Sequence, residues 1–313
     1  MTVPTEDLRV RRLRARLQEA GLAGSFLVRD LRTGRQLAID PQERYAVASL
    51  VKVPLAMAVL ERVATGEIDP ARRLRVGPGD PALVDRPGPP GTGRFRHAVD
   101  VAVEDLLYLA VALSDSTAAD ALFGLVPPAD VGAYLAAVGV EGIEVRHPVG
   151  DLNATPAERL DAAEGHLAHR LAIGTGTADG GHAVAQLDLT RASTATATAL
   201  ADLLEALWAP VAGSAGDTAV RPEVALRVRS LLGLNVMRQR LATELASDAA
   251  RWSSKTGTLL NERHEAGVVE HDDGGVLAVV ALTRSRVPAV VQPVAEAEMA
   301  AVARGLHDVL RAG

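Results

Sequence analysis

Apolar residues recur along this chain with two different periods, and the order of those periods predicts the architecture. Residues 5 to 20, TEDLRVRRLRARLQEA, set apolar positions at helical spacing behind a charged face, which predicts a helix. GSFLVRD and RQLAID follow as two short strands around the turn signal Arg32-Thr33-Gly34, so a hairpin comes after the first helix. The run SLVKVPLAMAVLERV, residues 49 to 63, is apolar almost all round, the mark of a buried helix. From about residue 76 to 99 the pattern dissolves into GPGDP and DRPGPPGTG, an irregular loop of a length that often borders a site. Helical spacing returns over 102 to 113, 116 to 125, 128 to 138, 157 to 171, 193 to 208 and 221 to 233. Strand-like runs reappear at 252 to 258, 264 to 271 and 275 to 283, and a closing helix spans 294 to 311.

Strands therefore gather at the two ends of the chain and helices fill the middle. The fold predicted is α+β: one five-stranded antiparallel sheet built from both termini, covered by the terminal helices. Residues 1–48 and 235–313 would make this α/β lobe, with 49–234 inserted as an all-helical lobe.

Composition fits a soluble globular protein, with 48% hydrophobic and 23% charged residues in 313. A net charge of -6 and a pI near 5.8 argue against nucleic acid or an anionic membrane as the main partner. A small molecule is the expected partner. The absence of cysteine excludes disulfides, thiol nucleophiles and Cys-ligated zinc. The opening MTVPTEDLRVRRLRARLQEAGL carries charges throughout and has no signal-peptide core, and no stretch of about 18 uncharged apolar residues reads as a membrane span. The expected location is cytoplasmic.

Candidate chemistry begins at Ser49 and Lys52, three residues apart at the head of the buried helix, which puts a hydroxyl and an amine on one face of its first turn. A serine hydroxyl is a poor nucleophile until a neighbour accepts its proton, and a lysine in an apolar setting can do so. Ser114-Asp115-Ser116 precedes a helical pattern, and Lys255-Thr256-Gly257 sits in a strand-like run. Each motif alone has an ordinary structural reading. Ser49 fits a helix N-cap, Ser114 to Ser116 another cap with Asp115 on the macrodipole, and Lys255 a charge on an edge strand. Three such motifs in order favour a catalytic set.

S-x-x-K, S-D-S and K-T-G in this order resemble the active-site motifs of class A β-lactamases and penicillin-binding proteins. The likeness spans nearly the whole chain, through RLQEAGLAGSFLVRDLRTGRQLAID, SLVKVPLA, SDSTAADAL, SLLGLNVMRQRL and WSSKTGT. It implies a two-lobed β-lactamase-like fold with the site in the groove between lobes. It also implies roles. Ser49 would form an acyl-enzyme with a lactam, amide or ester, Lys52 would take its proton, and Ser114 would carry a proton to the leaving nitrogen. The backbone N–H groups of Ser49 and Thr258 would bind the oxyanion, Lys255 and Thr256 would receive a substrate carboxylate, and Ser116, Asn153 and Gly257 would also contact the substrate. Ser116 stands where the family has Asn, and a hydroxyl offers one donor in place of two.

The larger departure lies downstream. Class A enzymes carry a loop reading roughly R-x-E-x-x-L-N, whose glutamate activates the water that releases the acyl group. Here the counterpart is Arg146 to Asn153, in which Leu152 and Asn153 match and Val149 falls at the glutamate. Asp151 is the candidate substitute, with Glu158 and Glu164 behind it. Glu164, His166, His169 and His182 raise a metal reading, but no H-E-x-x-H spacing occurs, and the GTGTADGG segment lacks a Walker lysine. His147 beside Pro148 reads as a loop residue. No metal or cofactor is expected. Three functions fit: a weak or specialised β-lactamase-type serine hydrolase serving natural-product biosynthesis or self-protection, a penicillin-binding-protein-like peptidase, transferase or esterase, and a non-catalytic sensor that stays acylated.

Overall fold

The computed structural model describes residues 8–79, 90–151, 164–174, 176–177, 179–212, 220–287 and 291–312. In chain order the helices are α1 (Leu8–Glu19), α2 (Lys52–Ala64), α3 (Val103–Ala112), α4 (Ser116–Phe123), α5 (Pro128–Ala137), α6 (Gly165–Gly174), α7 (Ala197–Ala212), α8 (Pro222–Gly233), α9 (Ala242–Leu245) and α10 (Pro293–Ala312). The strands are β1 (Leu22–Asp30), β2 (Gln36–Ile39), β3 (Tyr45–Ala46), β4 (Arg73–Val76), β5 (Val99–Ala102), β6 (Thr194–Ala195), β7 (Ala250–Leu259), β8 (Glu262–His271) and β9 (Val276–Ser285).

The five-stranded antiparallel sheet has the order β2-β1-β9-β8-β7, so the first hairpin is stitched to the last three strands through β1 and β9. β9 shows why its sequence is apolar without alternation. Val276, Ala278, Val280 and Leu282 face the helical side, and Leu277, Val279 and Ala281 face α1 and α10. The sheet is a partition with a core on each side, so both faces of each central strand must be apolar.

Most expected elements occur within a few residues of their predicted bounds. The middle is chiefly helical, yet it also carries β4 paired with β5, and β3 paired with β6, pairs too short for a period-2 signal. The helix expected at 157 to 171 is seen as α6, its earlier part lying outside the described residues. Among the described residues no helix is long and apolar enough to cross a membrane.

α2 is the axis of the helical lobe. Its residues from Lys52 to Leu60 are all buried, and Pro54 lies in the first turn, where a missing N–H costs no helical bond. Neither α2 nor the 3-10 turn before it (Ala48–Val51) has a side-chain cap, so Ser49 is not spent on capping.

Candidate active site

Ser49 is held on a strained turn. Ala48 before it has φ +50°, a left-handed conformation that costs an alanine free energy and persists only where the surroundings impose it. Three contacts do so. Val47 N–H donates to the Ser193 carbonyl at 3.0 Å, and the Ala46 carbonyl accepts from buried His264 Nε2 at 3.0 Å. Gly257 presses on the same turn from β7: a Cβ there would sit 2.8 Å from the Val47 carbonyl oxygen, so only glycine allows this approach.

One turn along, Lys52 is fully buried. Its Nζ donates to the Ser114 carbonyl at 2.6 Å and to Ser116 Oγ at 3.2 Å, with Ser114 Oγ at 3.5 Å. Burial pushes its pKa down to about 7, against the opposing charges of Asp115 and Asp120. A neutral amine has two N–H donors and one lone pair. The carbonyl of Ser114 and the hydroxyl of Ser116 take the donors, which leaves the lone pair for a serine proton. Ser116 therefore still serves the lysine, although it is shorter than the family's Asn.

Ser114 also has a left-handed backbone, φ +62°. Its Oγ accepts from Lys255 Nζ at 2.8 Å, across from the helical lobe to β7. Lys255 is fully buried on the edge strand, so it is no solvated edge charge, and it also donates to the Thr256 carbonyl at 2.9 Å. Burial, then the charges of Lys52 and Arg240, hold it well below the usual lysine range. Asp115 is the cap of α4: Oδ1 accepts from Thr117 N–H and Ala118 N–H, and Oδ2 from the N–H and hydroxyl of Thr92. The cap expected from Ser114 or Ser116 is thus supplied by Asp115, and the capping alternative fails for Ser49. Lys52 and Lys255 are also the only lysines in the chain; every other basic residue apart from histidine is arginine.

Two supporting residues escaped the sequence reading. Buried Arg240 donates to the carbonyls of Gly257 (2.8 Å) and His264 (2.9 Å) and to Thr258 Oγ1 (2.7 Å), and pairs with Glu296 at 2.8 Å. It adds a cation behind Thr256 to Thr258, where a substrate carboxylate is expected. Buried Glu265 accepts from Ser254 Oγ at 2.6 Å, Trp252 Nε1 at 2.8 Å and Leu241 N–H at 2.8 Å, fixing β7 to the segment that carries Arg240. An arginine in MRQRLA and a glutamate in ERHEAG carry no local signal of such roles.

The opposite wall is different. Arg146 pairs with Glu144 and donates to the Leu189 and Ala192 carbonyls, and His147 Nε2 accepts from Ser193 N–H at 2.9 Å. The N–H groups of Val149 and Gly150 donate to Asp120 at 2.7 and 2.8 Å, the Val149 side chain packs on the apolar core, and Asp151 is exposed. Asn153, Leu152 and Glu158 lie outside the described residues. Glu164 and His166 are exposed, His169 Nε2 donates to the Leu260 carbonyl at 3.1 Å, and His182 Nε2 to the Ala172 carbonyl at 3.0 Å. No group of three metal-ligating side chains occurs among the described residues. Instead α6 and the segment after it form a small apolar cluster, Ala172, Val184, Leu187 and Ala192, packed against Ala46 and Leu259, behind the Ser49 turn and the end of β7.

Comparison with known proteins agrees with the fold. Residues 9–310 match the model of the β-lactamase enzyme family. The chain is 56% identical over 306 residues to the β-lactamase regulatory protein BlaB of Streptomyces cacaoi, covering 96% of this chain and 97% of that one. An ancestral class A β-lactamase superposes with a TM-score of 0.72 at 26% identity, over 96% of this chain and 99% of the other. A β-lactamase from Chitinophaga pinensis shares the fold at a TM-score of 0.73 and 18% identity, over 96% and 98%. By its matched length and its nearly full-length relative, this chain belongs to the β-lactamase enzyme family.

Proposed function

We propose that the protein is a β-lactamase-type serine acyl-enzyme former, acting on a carboxylate-bearing lactam, amide or ester, whose acyl-enzyme is released slowly. The observation that carries this reading is the buried amine of Lys52. It lies one turn from Ser49, depressed to about 7, with both its N–H donors engaged. Ser49 Oγ attacks the carbonyl carbon and its proton passes to Lys52 Nζ. Charge developing on the oxygen meets the N–H groups of Ser49 and Thr258. As the acyl C–N bond breaks, the proton reaches the leaving nitrogen through Ser114, which Lys255 orients at 2.8 Å. Lys255, Thr256 and Arg240 supply the positive field for the substrate carboxylate.

The relative named as a regulatory protein favours a second reading, in which the acylated form is itself the signal. Both readings require acylation. Intact-mass spectrometry after exposure to a fluorescent penicillin should show one adduct per chain, abolished by Ser49→Ala. An adduct that persists in Ser49→Ala would remove the nucleophile. Turnover then separates the readings: a hydrolase returns to free enzyme within the assay, and a sensor stays acylated.

A further inference from the structure

Two carboxylates act on Lys52, Asp115 at the cap of α4 and Asp120 within it, and they are not equivalent. Asp115 is buried and committed on both oxygens, to the α4 N-terminus and to Thr92. Asp120 lies one helical turn beyond Ser116 on the same face of α4, half-buried. Each of its oxygens accepts one N–H, from Val149 at 2.7 Å and from Gly150 at 2.8 Å. A Cβ on residue 150 would lie 2.6 Å from Asp120 Oδ2, so glycine lets the loop close on the carboxylate. Two consecutive N–H groups converging on one carboxylate form an anion nest, and a carboxamide in the same pose would set its NH2 donor against one of them.

On acylation the proton of Ser49 moves to Lys52, so a buried neutral amine becomes an ammonium. A buried charge needs a partner. The flanking loop brings Val149 and backbone there, not a carboxylate. Resting on the reading of Ser49 as an acylated nucleophile, we propose that Asp120 is a second counter-charge of this site beside Asp115: a positioning residue that seats the 146–151 loop with its two oxygens and helps to stabilise the ammonium formed at Lys52. Asp115 acts on Lys52 too, and more strongly, but from a cap that is the same with or without the loop, so Asp120 adds a second charge that the loop helps to hold. Lys255 on β7 opposes the ammonium, and α2 has no second charged residue before Glu61. Asp151 on the loop acts on Asp120. Burial, the largest influence, leaves Asp120 above the ordinary carboxylate range, with Asp151 adding to the rise and its two N–H partners and Lys52 opposing it.

Because the chain has only two lysines, ε-13C-lysine labelling gives two side-chain signals, assigned with Lys255→Arg, and their titration needs no substrate. Asp120→Asn should move the Lys52 midpoint down from about 7 by roughly half a pH unit or more and speed amide exchange at Val149 and Gly150. Asp120→Glu keeps the charge but alters the reach. It should speed exchange equally while leaving the midpoint nearly in place. In acylation by a fluorescent penicillin, Asp120→Asn should lower the plateau rate about tenfold or more, with its acid limb following the lysine midpoint, and Asp120→Glu should recover most of that rate. An unmoved Lys52 midpoint in folded Asp120→Asn overturns the proposal. Equal losses in the Asn and Glu variants do too, since they mark a clamp without an electrostatic role. If Ser49 never acylates, the preceding reading fails, and the lysine titration still decides the role of Asp120.

Discussion

The two walls of the cleft are built on opposite principles. On one side Lys52, Ser114 and Lys255 reach inward from a helix start, a helix-capping turn and a strand, and both amines are fully buried. On the other, the 146–151 loop presents backbone N–H groups to Asp120, packs Val149 on the core, and leaves Asp151 exposed. In the proposed function the first wall serves attack on a carbonyl. The second lacks, among its described residues, a loop side chain that activates water. Forming and resolving an acyl-enzyme are separable abilities, and the proposed function assigns the rigid elements of this chain to the first.

The strongest way to break that contrast is at Lys52. Lys52→Ala should slow acylation by about two to four orders of magnitude, measured by stopped-flow with a fluorescent penicillin. The rate in the unmodified protein should rise through a midpoint near 7, where Lys52 loses its proton. An acylation rate that Lys52→Ala leaves unchanged would reduce Lys52 to a structural residue. The next largest effect concerns release. If the loop wall is inert, a burst equal to the enzyme concentration precedes a slow steady state, and Asp151→Ala changes neither phase. Rapid, burst-free turnover that Asp151→Ala abolishes would show that the exposed carboxylate swings in as base.

A smaller effect is expected at the seam between β7 and the Ser49 turn. Gly257→Ala must displace the Val47 carbonyl from 2.8 Å and should slow acylation about tenfold or more, given the sensitivity of such geometry, with circular dichroism unchanged. Wild-type rates in this variant would mean the turn yields freely. The smallest effect is on stability. Burial pushes the Lys52 pKa down to about 7 in the folded protein from an ordinary value of 10.5, so between these pH values the unfolded chain binds more protons and stability rises with pH. The cost of the buried amine is therefore greatest below 7 and fades towards 10.5. Lys52→Met should raise the urea midpoint at pH 6, and the gap to the unmodified protein should narrow by pH 9. A gap that widens with pH contradicts the sign.

Legibility followed the range of the interaction. Ser49 and Lys52 are read through i, i+3 spacing, the serine falling in the 3-10 turn and the lysine opening α2, and the central strands through apolar runs that only a sheet covered on both faces requires. Lys255 was placed by the order of motifs, but its burial and its bond to Ser114 depend on residues 141 positions apart. Arg240, Glu265 and Asp120 were not legible because each matters through partners supplied by distant segments, and a lone charged residue in a chain with 23% charged residues stands out in no local pattern. β4 and β5 were missed for another reason. Four-residue strands bounded by Pro- and Gly-rich loops have too few positions to show a period.

The burial of both lysines has a use beyond catalysis. A lysine-specific endoprotease finds only two cleavable bonds in the chain, after Lys52 at the start of α2 and after Lys255 within β7, and neither side chain is accessible in the folded protein. Digestion by such an enzyme reports the opening of the two elements that carry the reactive centre, without background from surface loops. Where cleavage is slow compared with reclosing, its rate measures the free energy that holds the cleft together. Acylation at Ser49 should then be visible as protection against proteolysis, in a fragment pattern limited to the pieces 1–52, 53–255 and 256–313 and their partial products.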